Sequence, residues 1–229
     1  MLDVGGTLWP NSFGMDDADR TTQAQAVAAT IDEPVEAARE LIDAVRHGLE
    51  EGQAHPLYRP VEQIIAEALA ATNRSRTLAR EVRKAMCVHV GSRITPHAGA
   101  ARLLRGLREL QLRTVILSNT TFRGADDYGA DFGALGWSDD IDAVVTSLDA
   151  GRPKPDEAIF RTALDVSGSA ASATAMVGNS EAADIVPAHA LGLRSILVAI
   201  EDPPPARTQA DAVVTSLAQA LDVLTSWSR

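Results

Sequence analysis

The chain has 229 residues, 45% of them apolar and 23% charged, with 31 acidic against 21 basic side chains and a formal net charge of −10. That acidity argues against non-specific nucleic-acid binding. No run reaches the roughly 18–20 apolar residues of a membrane span, so neither nucleic acid nor membrane is expected as a partner.

The first element is "MLDV", a stub of β-strand running through Asp3 into a glycine turn, Gly5-Gly6-Thr7. It is short for a buried strand, so a few upstream residues or a different start codon are expected. No basic–apolar–small leader precedes Asp3, which points to a cytoplasmic chain. "WPNSFG" at 9–14 reads either as a hinge, rigid at Trp9 and Pro10 and free to bend at Gly14, or as a plain connecting loop. From 16 to 92 the texture is helical. Ala24, Val27, Ala28 and Ile31 keep a helix period, as do Val35, Ala38, Leu41, Ile42, Val45 and Leu49. Val61, Ile64, Ile65, Ala68 and Leu69 make another such run, and Leu78, Val82, Ala85 and Met86 a fourth. The single cysteine, Cys87, excludes an internal disulfide, fits a reducing compartment and reads as a small buried hydrophobe. The histidines are scattered, with no HxH or HExxH pair, so a zinc site is not expected.

From 93 onward short apolar strands alternate with helices. A helix carrying Ala100, Leu103, Leu104, Leu107 and Leu110 precedes a strand at 114–118. Further strands are expected at 143–147, 174–178, 195–199 and 212–216, with helices at 155–166 and 181–191 between them. Such alternation predicts a parallel sheet covered on both faces. The architecture is therefore a doubly wound α/β core, residues 1–15 and 93–229, with an α-helical insert, residues 16–92, directly after the first strand. Ligands of such sheets lie at the carboxyl ends of the strands. There the sequence places Asp3, then Ser118 and Asn119, Lys154 in "GRPKPD", and Asn179 with Asp184 in "GNSEAAD".

The four motifs "DVGGT", "ILSN", "GRPKP" and "GNSEAAD", in that order, resemble those of the haloacid dehalogenase-like hydrolase superfamily. The helical insert resembles the cap of one branch of it. The resemblance implies a Rossmann-like core and Asp3 as a nucleophile forming an aspartyl-phosphate. It implies Ser118 as hydrogen-bond partner of the transferring phosphoryl group, and Lys154 as cation for both that group and Asp3. Asp3, the Gly5 carbonyl, Asn179 and Asp184 would hold magnesium, an ion suited to hard oxygen donors. Gly6, Thr7 and Asn119 would shape the turn and reach substrate, with Asn119 alternatively holding Ser118. The cap would close over the site and select the substrate. Arg20, Arg39, Arg46 and Arg59 in it, and Arg123 after the second motif, read either as anion clamps or as plain surface charges. The exposed loop "SNTTFRGADDYG" is a further candidate contact. The partner implied is a small phosphorylated metabolite, with the chain a monomer or homodimer.

Two positions depart from that pattern. The family's phosphatases carry a second aspartate two residues after the nucleophile, which protonates the leaving oxygen; here it is Gly5. An acid that ligates magnesium is replaced by Asn179, which keeps a carbonyl oxygen but no charge. Four readings stay open. The chain is a magnesium-dependent phosphatase that tolerates both changes, or a metal-independent dehalogenase-type hydrolase, whose halide leaves without a proton. It is otherwise a phosphonatase-like enzyme using Lys84 as a Schiff base, or a non-catalytic binding protein on the same fold. The phosphatase reading is preferred, because the five-residue step from Asn179 to Asp184 is phosphatase-like and nucleophile, hydroxyl and lysine are kept together.

Overall fold

The computed structural model describes residues 1–11, 15–53, 59–89, 91 and 93–228. The chain divides into two compact units, Gly14–His89 with Thr121–Arg123, and Met1–Phe13 with Val90–Thr120 and Gly124–Arg229. Residues 12–14 of the expected hinge lie outside the described residues.

The first unit is built of four helices: α1 (Asp17–Ile31), α2 (Val35–Gln53), α3 (Val61–Ala71) and α4 (Ala79–Met86). Helix α1 starts where Asp16 accepts from the Asp19 N–H while the Asp19 side chain accepts from the Asp16 N–H, a reciprocal cap. Ala24, Val27, Ala28, Ala38, Leu41, Ile42, Val45, Ile64, Ile65, Leu69, Val82 and Met86 are all buried, so the helix period of the sequence is the packed face. Arg20 and Arg59 form exposed ion pairs with Asp17 and Glu67, and Arg46 donates to Gln23 Oε1 at 3.2 Å. Buried Arg83 bonds the Phe122 carbonyl and pairs with Glu62, and Arg123 donates to the Val88 carbonyl at 2.6 Å. These arginines have partners within the helical unit.

The second unit contains five parallel strands: β1 (Val115–Ser118), β2 (Ala143–Thr146), β3 (Ala175–Gly178), β4 (Arg194–Val198) and β5 (Ala212–Val214). Its helices are α5 (Ala100–Glu109), α6 (Ala125–Ala134), α7 (Ser147–Ala150), α8 (Glu157–Ser167), α9 (Val186–Ala190) and α10 (Leu217–Trp227). β2 pairs with β1, and β5 with β4 and β4 with β3. Leu2 joins the two sets, lying parallel to Ile116 on one side and Val177 on the other. The Leu2 N–H donates to Val115 O and the Asp3 N–H to Val177 O, both at 2.9 Å. The opening stub is thus the middle of the sheet, where the strand order reverses.

The core includes Val115, Leu117, Val145, Ile159, Phe160, Ala163 and Met176. Each fully buried large apolar side chain there contributes about 1.5–3 kcal/mol. Trp9 is also buried, stacked on Tyr128 and Trp137 at ring distances of 6.0 and 6.4 Å. It is a packed part of the α/β unit, an anchored turn in keeping with the rigidity expected at Trp9 and Pro10. Among the described residues no helix is long and apolar enough to cross a membrane.

Candidate active site

The reversal point of a doubly wound sheet leaves a crevice beyond the strand ends. Asp3, Ser118, Asn119, Lys154, Asn179 and Asp184 all line one cleft there, of about 680 Å³, together with Gly5, Asn11 and Tyr128. A cavity of about 590 Å³ at the opposite ends of the strands, beside Thr114, Ala175 and Arg194, lacks such a constellation.

Lys154 organises the cleft. Its Nζ donates to Asp3 Oδ1 at 2.7 Å, Asp184 Oδ1 at 2.6 Å and the Leu117 carbonyl at 2.9 Å, which uses all three ammonium protons. All three side chains are buried. Burial alone pulls the lysine down, but the carboxylates of Asp3 and Asp184 together outweigh it and raise its pKa. Asp184 moves up, to about 6, because burial disfavours its charge and Asp3 repels it, with Lys154 only partly opposing both. Two acids against one cation leave the cluster with a net negative charge.

The remaining contacts position these groups. Thr7 is fully buried and donates to Asp3 Oδ2 at 3.1 Å, so it orients the carboxylate. Asn119 holds the lysine segment through two bonds, accepting from Lys154 N at 2.7 Å and donating to Lys154 O at 2.9 Å. Its side chain therefore supports Lys154, while its backbone carbonyl accepts from the Ser118 hydroxyl at 3.4 Å. The closer partner of Ser118 is Tyr128, their hydroxyl oxygens 2.9 Å apart. Tyr128 was missed in the sequence because it was read within an exposed loop. That segment forms α6, and Tyr128 and Phe132, four apart, turn inward on it. The spacing of these two aromatics was the available signal.

Asp184 is delivered by a wide helical turn, Glu181–Ile185. Its Oδ2 accepts from the Ser180 N–H at 3.0 Å, and the Ser180 hydroxyl accepts from Ala183 N at 3.1 Å. The carboxylate crosses so close to Gly178 that a Cβ there would meet its Cγ at 2.4 Å. Gly6 is similarly constrained, with φ +74° and the Asn179 Nδ2 only 2.1 Å from where a Cβ would stand.

Comparison with known proteins gives a consistent family. The model of the haloacid dehalogenase-like hydrolases matches residues 1–192. Haloacid dehalogenase-like hydrolase domain-containing protein 3 of Bos taurus is 36% identical over 105 residues, 46% of this chain and 40% of that protein. A ribulose-1,5-bisphosphate 5-phosphatase of Halopiger xanaduensis is 35% identical over 109 residues, 48% of this chain and 46% of that one. The match spans less than half the length of either relative. Among solved structures, a 2-haloacid dehalogenase from Pseudomonas syringae pv. Tomato superposes with a TM-score of 0.64 at 22% identity, covering 99% of this chain and 97% of that one. A HAD phosphatase from Thermococcus onnurineus gives 0.60 at 16%, covering 97% and 95%. At these identities the structural likeness speaks for the fold alone.

Proposed function

The chain belongs to the haloacid dehalogenase-like hydrolases, and from that premise we propose that it is a magnesium-dependent phosphatase of a small phosphorylated metabolite. The observation that carries this reading is the Asp3 carboxylate, fixed by Lys154 and Thr7 at the sheet's reversal point and facing the cleft beside Ser118. The ribulose-1,5-bisphosphate 5-phosphatase relative supports a phosphate ester as substrate. Lys154 offsets charge on the incoming phosphoryl group, and the Ser118 hydroxyl, oriented by Tyr128, hydrogen-bonds it. An Asp3 oxygen forms a bond to phosphorus as the ester P–O bond breaks. The leaving oxygen takes its proton from water, since Gly5 cannot supply one. Water then attacks phosphorus, releasing phosphate and restoring Asp3.

The donor set fits magnesium. The carboxylates of Asp3 and Asp184, the Asn179 amide oxygen and the Gly5 carbonyl are hard oxygen ligands, and the two carboxylates share the single charge of Lys154. Among the described residues no three His, Cys, Asp or Glu side chains gather into a cage, so affinity would rest on two carboxylates. When bound, the ion supplies further positive charge to the phosphoryl group.

One observation favours a second reading, a metal-independent dehalogenase-type hydrolase: the Lys154 ammonium already bridges both carboxylates, and a departing halide needs no acid. The two separate by assay. Phosphate release from p-nitrophenyl phosphate, stimulated by magnesium and lost in Asp3→Asn, is expected. Halide release from 2-chloropropionate without phosphate release would select the second reading, and neither product would leave a non-catalytic binding protein.

A further inference from the structure

We propose that Asn11 takes the place of the missing side chain at position 5, and that it steadies the departing oxygen of the substrate without giving it a proton. This inference rests on the phosphatase reading and adds to it a residue and a substrate preference. A Cβ built on Gly5 would stand 2.9 Å from Asn11 Oδ1 and 3.9 Å from Asn11 Cγ and Cα. The space of a residue-5 side chain is therefore filled by the Asn11 carboxamide, which lines the same cleft as Asp3, Ser118 and Lys154.

The placement is built, not incidental. After Asp3 the chain doubles back: Gly6 N donates to Trp9 O at 2.7 Å, Trp9 N donates to Val4 O at 3.2 Å, and Gly5 and Trp9 form a bridge. Buried Trp9 locks that turn in the aromatic stack. The Asn11 N–H is then shared by both carboxylate oxygens of Glu201, at 3.2 and 3.3 Å. Glu201 lies beyond β4 and closely flanks Gly6, whose Cβ would stand 3.4 Å from its Oε2. His97 Nε2 lies 3.6 Å from Glu201 Oε1, and the His97 N–H donates to Leu8 O at 2.9 Å. Glu201 and His97 thus tie down the loop that carries Asn11.

The chemistry of an amide differs from that of an acid. Oδ1, an acceptor, is the atom that faces Gly5, and among the described residues no hydrogen bond holds the carboxamide. Turned about its Cβ–Cγ bond, it presents an N–H to the oxygen on which charge builds as the P–O bond breaks, and the proton stays on nitrogen. The leaving oxygen must depart as an anion and collect its proton from water. The substrate class this favours is a phosphate whose leaving group is a stable anion, such as an acyl, enol or aryl phosphate, over a simple alkyl ester.

The test compares p-nitrophenyl phosphate with phenyl phosphate, a poorer leaving group, in the full chain with magnesium. Four variants are assayed beside the parent: Asn11→Ala, Asn11→Asp, Gly5→Asp and the double variant Gly5→Asp/Asn11→Ala. Loss of one preorganised donor costs about 100- to 1,000-fold in kcat, so Asn11→Ala is expected to lower kcat on phenyl phosphate by about 100-fold or more, with KM little changed. Asn11→Asp, which supplies a proton, should raise kcat on phenyl phosphate relative to p-nitrophenyl phosphate. Gly5→Asp alone must push aside Asn11 Oδ1, the far end of a flexible side chain, and should gain less than the double variant, which should gain about 100-fold or more on phenyl phosphate, the scale of general-acid help. If the parent turns over both esters and Asn11→Ala matches it on each, or if Gly5→Asp gains as much alone as with Asn11→Ala, this inference falls and the phosphatase reading stands. If the parent releases no phosphate and beryllium fluoride forms no adduct on Asp3, the phosphatase reading itself falls and takes the inference with it.

Discussion

Replacing Lys154 with methionine keeps most of the stem and deletes the charge. Two buried carboxylates would then face each other without the ammonium that stands 2.7 Å from one and 2.6 Å from the other. Breaking a buried pair from one side costs about 3–5 kcal/mol. That cost applies only while both acids are ionised. The Asp184 carboxyl already sits at about 6 against an ordinary 3.8, through burial first and repulsion by Asp3 second. A rise of that size means that keeping Asp184 charged costs the native state about 3 kcal/mol at neutral pH. A carboxyl whose folded value lies above its unfolded one holds its proton more tightly when folded. Its contribution to stability is therefore greatest below pH 3.8 and fades as pH rises through about 6. Without Lys154, which lowers it, Asp184 moves higher still. Lys154→Met is thus expected to lose about 3–5 kcal/mol at pH 8 and markedly less at pH 5, where Asp184 is protonated. Adding Asp184→Asn should recover much of the loss at pH 8, a non-additive result typical of groups in contact. Urea unfolding followed by tryptophan fluorescence reads this directly, since Trp9, Trp137 and Trp227 all belong to the α/β unit. An equal loss at both pH values, or a double variant equal to the sum of the singles, would refute the reasoning.

Asp3→Asn should abolish phosphate release while leaving the unfolding free energy, read from urea denaturation, within about 1 kcal/mol of the parent, because the amide oxygen still accepts from Lys154. Gly178→Ala should destabilise by about 1–3 kcal/mol, the scale of overpacking, and should also depress activity by displacing Asp184; thermal unfolding and turnover check both. Tyr128→Phe removes the hydroxyl beside Ser118, at a cost of about 1 kcal/mol in unfolding, and should lower kcat more than it changes KM. Chelation with EDTA should silence the parent and added magnesium restore it; undiminished turnover in EDTA would point to the Lys154-bridged, metal-free reading.

Much of this arrangement could be read from residue order, for identifiable reasons. Short apolar runs fixed four of the later strands to within a residue of their places. The fifth, expected over 212–216, ends at Val214 because Ser216 caps α10 by accepting from Gln219 N. The helix expected at 181–191 is a wide turn followed by α9. Ile185 N reaches back five residues to Ser180 O, and Pro187, lacking an N–H, cannot continue the tighter ladder. Asp3, Ser118 and Lys154 stand at expected strand ends or loops and Asp184 in the first turn of the helix expected at 181–191, so their convergence follows from the parallel sheet. The hydrogen bonds among them did not, because Lys154 joins partners 151 and 30 residues away. Asn11 was legible only as a loop residue: its approach to Gly5 depends on a reversal locked by the burial of Trp9.

The opening segment bonds to Val115 and Leu117 on one flank and to Val177 on the other. Asp3 precedes its partners along the chain, and it gains its surroundings only when residues more than a hundred positions later have been made. Closing so long a loop adds little entropy over closing a shorter one, about 0.6 kcal/mol per doubling. The delay is thus one of order and not of energy. Nascent chains too short to include β3 and Asp184 lack the Val177 flank and the second acid. The Val177 flank and the second carboxylate beside Lys154 arrive together.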